Sequence, residues 1–272
     1  MAEAEEALPG NVGGAVRVGS TVHRPTGPWT PAVHELLRYL HPRLRCVPRV
    51  HGFDDHGRET LEYMKGTVID FKTASLTDGQ LASLSRWTRE FHEVVAGFEH
   101  AGPWRYFPVP GAHSLGHNDL GPYNVCFDGD ELAGVFDWDM AGPTHPLAEL
   151  ALVAWTSVPL AVPVEPVEVA RRLEIVADAY GGPSALSILR ATPARIQLVI
   201  EGIPRAAHSG DSGMQNLVRL DVPRRCAEEL AALVAVMAEV EELLGLASST
   251  HAPLPDSRRA DPDRASRRSA ER

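Results

Sequence analysis

Three oxygen-bearing side chains, Asp119, Asn124 and Asp137, are spaced as if to serve one reaction centre. Asn124 comes directly before the apolar segment 125–127, and Asp137 comes directly after the apolar segment 132–136. The short polar stretch between the two segments is typical of a hairpin turn. An antiparallel hairpin places the start of its first strand beside the end of its second, so we expect Asn124 and Asp137 to meet at its open end.

These residue types suit phosphoryl transfer. Mg²⁺ prefers oxygen ligands and is often held by one or two carboxylates together with substrate phosphates. We therefore predict that Asn124 and Asp137 hold Mg²⁺, and that Asp119 on the entering loop accepts the proton of a substrate hydroxyl. Simpler roles are the alternatives: a turn cap for Asp119, a strand start for Asn124 and an exposed strand-end carboxylate for Asp137.

Two neighbours complete the pattern. His117 precedes Asp119 by two residues, and we interpret it as a buried histidine that bonds to the backbone and holds the loop. Asp139 follows Asp137 by two residues, and we interpret it as bracing the loop rather than binding metal. A hydrolase-type metal cluster of His113, His117 and Asp119 is disfavoured, because no further ligands occur at suitable spacing.

The elements that would position these residues fall into two groups. Residues 8–25 predict short strands joined by glycine turns, Thr30-Pro31 starts a helix, and residues 46–65 return to strand character. From Thr77 the pattern becomes mostly helical around a hairpin region at 113–138. Further helices are predicted over 146–157, 165–180, 184–191, 193–208 and 222–246. The fold class is therefore α+β, with a small β-rich N-lobe and a larger, mainly helical C-lobe.

The segment from His117 to Ala151, HNDLGPYNVCF…GVFDWDMAGPTHPLAELA, resembles the aminoglycoside phosphotransferase family, whose wider relatives include choline, homoserine and fructosamine kinases. The resemblance implies a bilobal protein-kinase-like fold, ATP as phosphate donor, Mg²⁺ and a small hydroxyl-bearing acceptor. It divides the chain into a nucleotide-binding lobe over 1–66, a catalytic and substrate lobe over 67–250, and a basic tail over 251–272. We expect the tail to be disordered, since it is almost devoid of apolar residues.

Residues 61–66 (LEYMKG) resemble the hinge at which kinases of this kind bind adenine, which implies nucleotide contacts from Glu62 and Met64. The segment ADAYG at 177–181 also matches the family. Such kinases usually carry a strand lysine that holds the α- and β-phosphates and pairs with a helix glutamate.

Both lysines of this chain, Lys65 and Lys72, fall at or after the hinge and cannot supply that residue. Arg24 is the positional substitute, unless it is a surface arginine at the end of an edge strand. The helix glutamate position falls near residues 33–35. A weakened ATP site, GTP as donor, and a degenerate kinase that only binds a nucleotide or partner are therefore alternatives.

Composition sets the remaining expectations. The net charge of −10 argues against a nucleic-acid partner and would suit a cationic acceptor. The acidic N-terminus is unlike a signal peptide, and no apolar run reaches the roughly 20 residues of a membrane-spanning helix. We therefore expect a cytoplasmic protein without membrane contact. Its three cysteines, which are far apart in sequence, are expected to be buried and reduced.

Overall fold

The structure, a computed structural model, shows the predicted sequence of a small sheet followed by a helical region. It describes residues 4–8, 14–70, 74–105, 109–160 and 165–250, with the backbone alone for 247–250. The predicted basic tail, 251–272, lies outside the described residues. No described helix combines the length and apolarity needed to cross a membrane.

An antiparallel five-stranded sheet occupies the first part of the chain. Its strands are β1 (Glu5–Ala7), β2 (Val16–Val18), β3 (Thr21–Arg24), β4 (Val50–Phe53) and β5 (Glu59–Glu62), in the order β1-β2-β3-β5-β4. Helix α1 (Thr30–Leu40) lies between β3 and β4 in sequence. The β-β-α-β-β order is confirmed, with β1 as an additional strand. All three residues of β1 are exposed, so it carries no apolar signal that sequence reasoning could use.

Helix α1 forms where the sequence predicts it. Pro31 occupies its first turn, where a missing N–H costs no helical hydrogen bond. The apolar residues of the predicted stripe, Val33, Leu36, Leu37 and Leu40, are all buried in the main hydrophobic core. The helix therefore packs through the face that its spacing predicts.

The second part of the chain is mainly helical, with two small strand pairs. Its elements are α2 (Asp78–Val95), β6 (Ser114–Gly116), β7 (Val125–Asp128), β8 (Glu131–Val135), β9 (Gly142–Thr144), α3 (Pro146–Ser157), α4 (Pro166–Tyr180), α5 (Ala185–His208), α6 (Ser212–Arg219) and α7 (Val222–Thr250). Strand β7 pairs with β8, and β6 pairs with β9. Two 3₁₀ turns, Pro122–Asn124 and Trp138–Met140, lie next to the β7–β8 hairpin.

One helix boundary was predicted wrongly. Thr192-Pro193 was expected to end one helix and begin another, but α5 runs through Pro193 without interruption. The Thr192 hydroxyl donates to the Ile188 carbonyl at 2.9 Å, and Ile188 and Ile196 are both fully buried on either side of the proline. Packing of this continuous apolar face outweighs the cost of one proline inside the helix. Helix α6 was not predicted.

An aromatic cluster joins the helices to the strand pairs. Trp87 and Phe91 of α2 stack with ring centroids 5.4 Å apart, and Phe91 meets Trp138 edge-on at 5.6 Å. Trp138 is fully buried. All three cysteines are free; Cys126 and Cys226 are buried as expected, whereas Cys46 is partly exposed. Cys46 lies outside a regular element, with its thiol donating to the Leu132 carbonyl at 3.1 Å.

Candidate active site

The β7–β8 hairpin has the predicted geometry. Val125 lies opposite Val135, and the turn falls between Asp128 and Glu131. The backbone N–H of Phe136 donates to the Asn124 carbonyl at 2.9 Å, so the pairing continues to the end of the hairpin. Asn124 and Asp137 therefore lie at its open end, as the sequence predicts. Their joint binding of one cation stays a prediction.

Asp119 and Asn124 contact each other directly. The Asn124 Nδ2 donates to Asp119 Oδ2 at 2.8 Å and to the Asp119 carbonyl at 2.9 Å. The Tyr123 hydroxyl donates to Asp119 Oδ1 at 3.0 Å, a contact that sequence reasoning missed. Because the Asn124 nitrogen faces Asp119, its amide oxygen is the atom suited to a cation.

Burial, and next the neighbouring Asp137 carboxylate, raise the pKa of Asp119 to about 7. The hydrogen bonds from Tyr123 and Asn124 and the charge of Arg195 act in the opposite direction. A general base works best when its pKa lies near the operating pH. The loop environment therefore suits Asp119 to proton acceptance.

The end of β8 is held by Trp138. Its indole N–H donates to the Val135 carbonyl at 3.1 Å, and its ring centroid lies 4.7 Å from that of His117. Asp137, directly before it, takes a left-handed conformation with φ 59° and ψ 61°, which is uncommon outside glycine but tolerated by aspartate. Asp137 and Asp139 thus flank a buried residue in sequence, and both of their carboxyl groups reach the Arg24 guanidinium.

His117 has the structural role that the sequence predicts. It is fully buried, and its Nδ1 accepts the backbone N–H of Asp119 at 3.3 Å. Its Nε2 therefore carries the proton and donates to the Phe136 carbonyl at 3.0 Å. Burial lowers the pKa of His117, in agreement with a neutral ring that ties the catalytic loop to β8.

Glu149 of α3 anchors the same loop and was missed by sequence reasoning. It is fully buried, and its carboxylate accepts the backbone N–H groups of His117 at 3.1 Å and Asn118 at 2.7 Å. The Nε2 of His92 lies 3.3 Å from the same carboxylate. Although burial acts in the opposite direction, these partners hold the pKa of Glu149 below its usual value. In the sequence, Glu149 could have been noticed only as a single acidic residue within the otherwise apolar segment 146–154.

Asn118 is held by further hydrogen bonds besides the one to Glu149. Its φ of 61° is left-handed, and its Nδ2 donates to the Gly142 carbonyl at 3.0 Å. Arg195 of α5, 4% exposed, donates to the Asn118 carbonyl at 2.8 Å. Residues of α3, α5 and the β9 strand thus converge on the position directly before Asp119.

Arg24 is the last residue of β3, the middle strand of the sheet, and its side chain reaches into the candidate active site. Strand β3 is an inner strand, and the Arg24 side chain is only 13% exposed, so the alternative of a surface arginine on an edge strand is wrong. Its guanidinium forms ion pairs with Glu59 of β5 at 2.5 Å, with Asp137 at 2.8 Å and with Asp139. Although burial opposes it, Arg24 holds the pKa of Asp137 below its usual value, whereas burial raises the pKa of Asp139.

The partner of Arg24 differs from the expected helix glutamate. On α1, His34 is buried and its Nε2 lies 2.8 Å from Glu59, which pairs in turn with Arg24. Glu35, its neighbour, is 61% exposed and faces His100. The acid therefore comes from strand β5, and the helix contributes a histidine behind it.

The predicted hinge, residues 61–66, begins in the last two residues of β5 and continues beyond the strand. Glu62 is exposed and accepts the backbone N–H of Arg49 at 3.1 Å. Met64 lies against β8, where a Cβ added to Gly134 would stand 2.6 Å from the Met64 Cβ. Adenine contacts from Glu62 and Met64 stay predictions.

The donor set fits magnesium. No three His, Cys, Asp or Glu side chains converge to enclose a metal ion anywhere in the described part of the chain. A site for Mg²⁺ between phosphates needs fewer protein ligands, because phosphate oxygens and water complete the shell. The Asp137 side chain is 48% exposed and, with Asn124, can supply the hard oxygen ligands.

Comparisons with known proteins agree with this geometry. Residues 105–189 match the model of the phosphotransferase enzyme family. The trifolitoxin immunity protein of Rhizobium leguminosarum bv. trifolii is 32% identical over 153 residues, which cover 53% of this chain and 58% of that protein. The match thus spans less than two thirds of that relative's length.

Solved structures are similar over most of the chain. An amicoumacin kinase in complex with AMP-PNP, Ca²⁺ and Ami has a TM-score of 0.54 at 14% identity, covering 88% of each chain. The GDP complex of an aminoglycoside 2′-phosphotransferase has a TM-score of 0.52 at 14% identity, covering 88% of this chain and 94% of that one. The protein-kinase-like fold is therefore confirmed, and over residues 105–189 the chain carries the sequence pattern of the phosphotransferase enzyme family.

Proposed function

We propose that this protein transfers the γ-phosphate of a nucleoside triphosphate to a hydroxyl group of a small molecule. The observation that carries the proposal is the contact of Asp119 with Asn124, at the open end of a hairpin that also presents Asp137. A base beside a pair of oxygen ligands is what phosphoryl transfer to an alcohol requires. The similarity to structures with bound AMP-PNP and GDP supports ATP as donor, with GTP as the alternative.

Each residue has a role in this mechanism. Asp119 orients the acceptor hydroxyl and accepts its proton as the new oxygen–phosphorus bond forms, while the bond from the γ-phosphorus to the bridging oxygen breaks and the nucleoside diphosphate leaves with that oxygen. Asn124 and Asp137 would hold Mg²⁺, which neutralises charge on the transferred phosphate when it is bound. Tyr123 and Asn124 hold the Asp119 carboxylate in place through the two hydrogen bonds described above.

Arg24 would anchor the nucleotide phosphates in place of a lysine. A guanidinium is always charged and grips two oxygens at once. Its ion pair with Asp137, a proposed metal ligand, supports this role, because the phosphates would be bound to the same metal ion. Phosphates of Mg²⁺–ATP would then replace the aspartates as partners of Arg24, while Glu59 retains it.

A second candidate is a kinase-like protein that binds a nucleotide or a partner without catalysis. The missing strand lysine and the pairing of Arg24 with Asp137 favour it. Similarity to an immunity protein is compatible with either candidate, since protection can come from chemical modification or from binding.

A transfer assay separates the two candidates. The full chain is incubated with ATP or GTP, with magnesium or with chelator, and a panel of alcohols and hydroxyl-bearing antibiotics, while nucleoside diphosphate release is followed. The proposal predicts magnesium-dependent release with at least one acceptor. Nucleotide-dependent stabilisation on heating, without transfer to any acceptor, would instead support the binding protein.

A further inference from the structure

A cavity of about 270 Å³ lies between the two parts of the molecule. Its walls include the indole rings of Trp29 and Trp104, two prolines and an alanine, with Arg105, Ser209 and Asp211 as polar members. Trp29 comes directly before α1, and Asp211 caps the N-terminus of α6. The cavity is therefore bounded both by the segment that leads into α1 and by the helical part of the chain.

The cavity is connected to the candidate active site through Arg105. The Nη1 of Arg105 lies 3.2 Å from Asp139, which also pairs with Arg24. Arg24 binds Asp137 as well. Arg105 in the cavity wall thus belongs to the same ion-pair network as Asp137, the proposed metal ligand. A cavity that binds the acceptor should be connected to the metal site in this way.

The charges in the cavity wall are already paired. Asp211, its only carboxylate among the described lining residues, accepts two hydrogen bonds from Arg105, both at 2.8 Å. The Arg105 guanidinium also lies over the Trp29 ring, 4.4 Å from its centroid. The face of Trp29 that could attract a ligand cation is therefore covered by a cation of the protein. A second positive charge at that face would lie directly beside the Arg105 guanidinium and be repelled by it.

The size of the cavity limits the group that fits. An apolar cavity of about 150 Å³ is enough to hold benzene, and small-molecule sites usually measure about 300–1,000 Å³. A cavity of about 270 Å³ therefore suits one or two rings. Its indole and proline surfaces favour flat or apolar ring faces.

From these features we infer that the cavity binds an uncharged ring of the hydroxyl-bearing acceptor, rather than a cationic aminosugar. This inference rests on the proposed phosphotransferase function. It departs from the expectation that the net charge of −10 would favour a cationic acceptor, because the one carboxylate among the described lining residues is already paired with Arg105.

Ligand binding to the full chain, measured by saturation-transfer difference NMR, tests the inference without any turnover. The probes are 3-phenylpropan-1-ol and phenylalaninol, which share a phenyl ring and a primary hydroxyl but differ by one ammonium group, together with kanamycin. We expect the neutral alcohol to bind and phenylalaninol to bind about fivefold more weakly, because its charge would meet Arg105.

Variants locate the binding. Trp104→Ala should abolish the saturation-transfer signal of the neutral alcohol. Trp155→Ala, at a half-buried tryptophan on α3 that does not line the cavity, should retain it. Ala206→Phe, which fills the cavity while keeping both indoles, should also abolish the signal and serves if Trp104→Ala does not fold.

Several results would overturn the inference. These are equal or tighter binding of phenylalaninol or kanamycin that depends on Trp104, neutral binding that survives both cavity variants, or no binding of the neutral alcohol. The proposed function is judged separately. Ring binding without phosphate transfer would contradict the enzyme but not the cavity, and transfer to kanamycin without ring binding would contradict only the cavity.

Discussion

The catalytic loop and the nucleotide side of the candidate active site are held in different ways. Around Asp119, the buried side chains of Glu149 on α3 and Arg195 on α5 hydrogen-bond to the backbone of the loop. Around Arg24, a single guanidinium connects the sheet to the aspartates at the end of β8. In the proposed mechanism, the first region already has its final hydrogen bonds before substrate binds, whereas Arg24 would exchange the aspartates for phosphates.

The proposed metal ligands lie where these two regions meet, and their substitution should lower activity strongly. Asp137→Ala should lower kcat/KM by about 100-fold or more, because it removes a full charge from the ion. Asn124→Ala should cost about tenfold, since it removes only a dipole. Steady-state kinetics over a range of magnesium concentrations measures both. Asp128→Ala, at the far end of the same hairpin, is the control. Equal losses at both ligand positions would contradict the assignment.

Removing the anchor of the catalytic loop should cost stability. Glu149→Gln replaces a buried carboxylate that bonds two backbone N–H groups and lies beside His92, so we expect a loss of about 3 kcal/mol in the free energy of unfolding. Urea denaturation measures it. Glu93→Gln, at a 62% exposed glutamate paired with Arg89, should change stability little. If Glu149→Gln lowered the free energy of unfolding no more than Glu93→Gln does, the loop would be held by other contacts.

Substitution of Arg24 distinguishes two roles for this residue, a phosphate anchor and a competitor of Mg²⁺ for Asp137. If it anchors phosphates, Arg24→Ala should raise the KM for ATP severalfold, by about 1–2 kcal/mol of lost charge-assisted bonding, and Arg24→Lys should keep part of the activity. If it only competes with the cation for Asp137, Arg24→Ala should instead lower the magnesium concentration needed for half-maximal rate. Arg58→Ala, elsewhere in the first part of the chain, is the matched control.

The smallest expected effect is a pH dependence of stability. The pKa of Glu149 is lowered in the folded protein, so its contribution is complete above its unfolded value of about 4.5 and is lost as the pH falls further. The stability difference between the native chain and Glu149→Gln should therefore be constant near pH 7 and narrow below about pH 4.5. Denaturation curves between pH 7 and pH 4 measure it. A difference that stays constant throughout would show that the pKa of Glu149 is the same in the folded and the unfolded chain.

How far each region could be predicted follows from the distances along the chain. Asp119, Asn124 and Asp137 lie within one hairpin and its entering loop, so residue spacing was enough to bring them together. Glu149, 31 residues from Asn118, and Arg24, 113 residues from Asp137, reach the site through tertiary packing alone. Spacing carries no information about such contacts.

Local rules also failed where packing opposed them. Thr192-Pro193 has the signature of a helix start, but buried residues on both sides continue a single helix. On α1, the sequence predicts a helix glutamate near residues 33–35, but the pattern does not indicate that His34 faces inward while Glu35 faces solvent. The pairing of His34 with Glu59 required the structure.

Phosphate transfer by Asp119→Asn, compared with the native chain, tests the central claim most directly. With saturating Mg²⁺–ATP and an acceptor identified by the panel, we expect kcat to fall by about 10²–10⁴-fold, because the base is lost, while nucleotide affinity measured by titration calorimetry stays unchanged. A variant that binds ATP normally and keeps most of its turnover would contradict the assignment of Asp119 as the catalytic base.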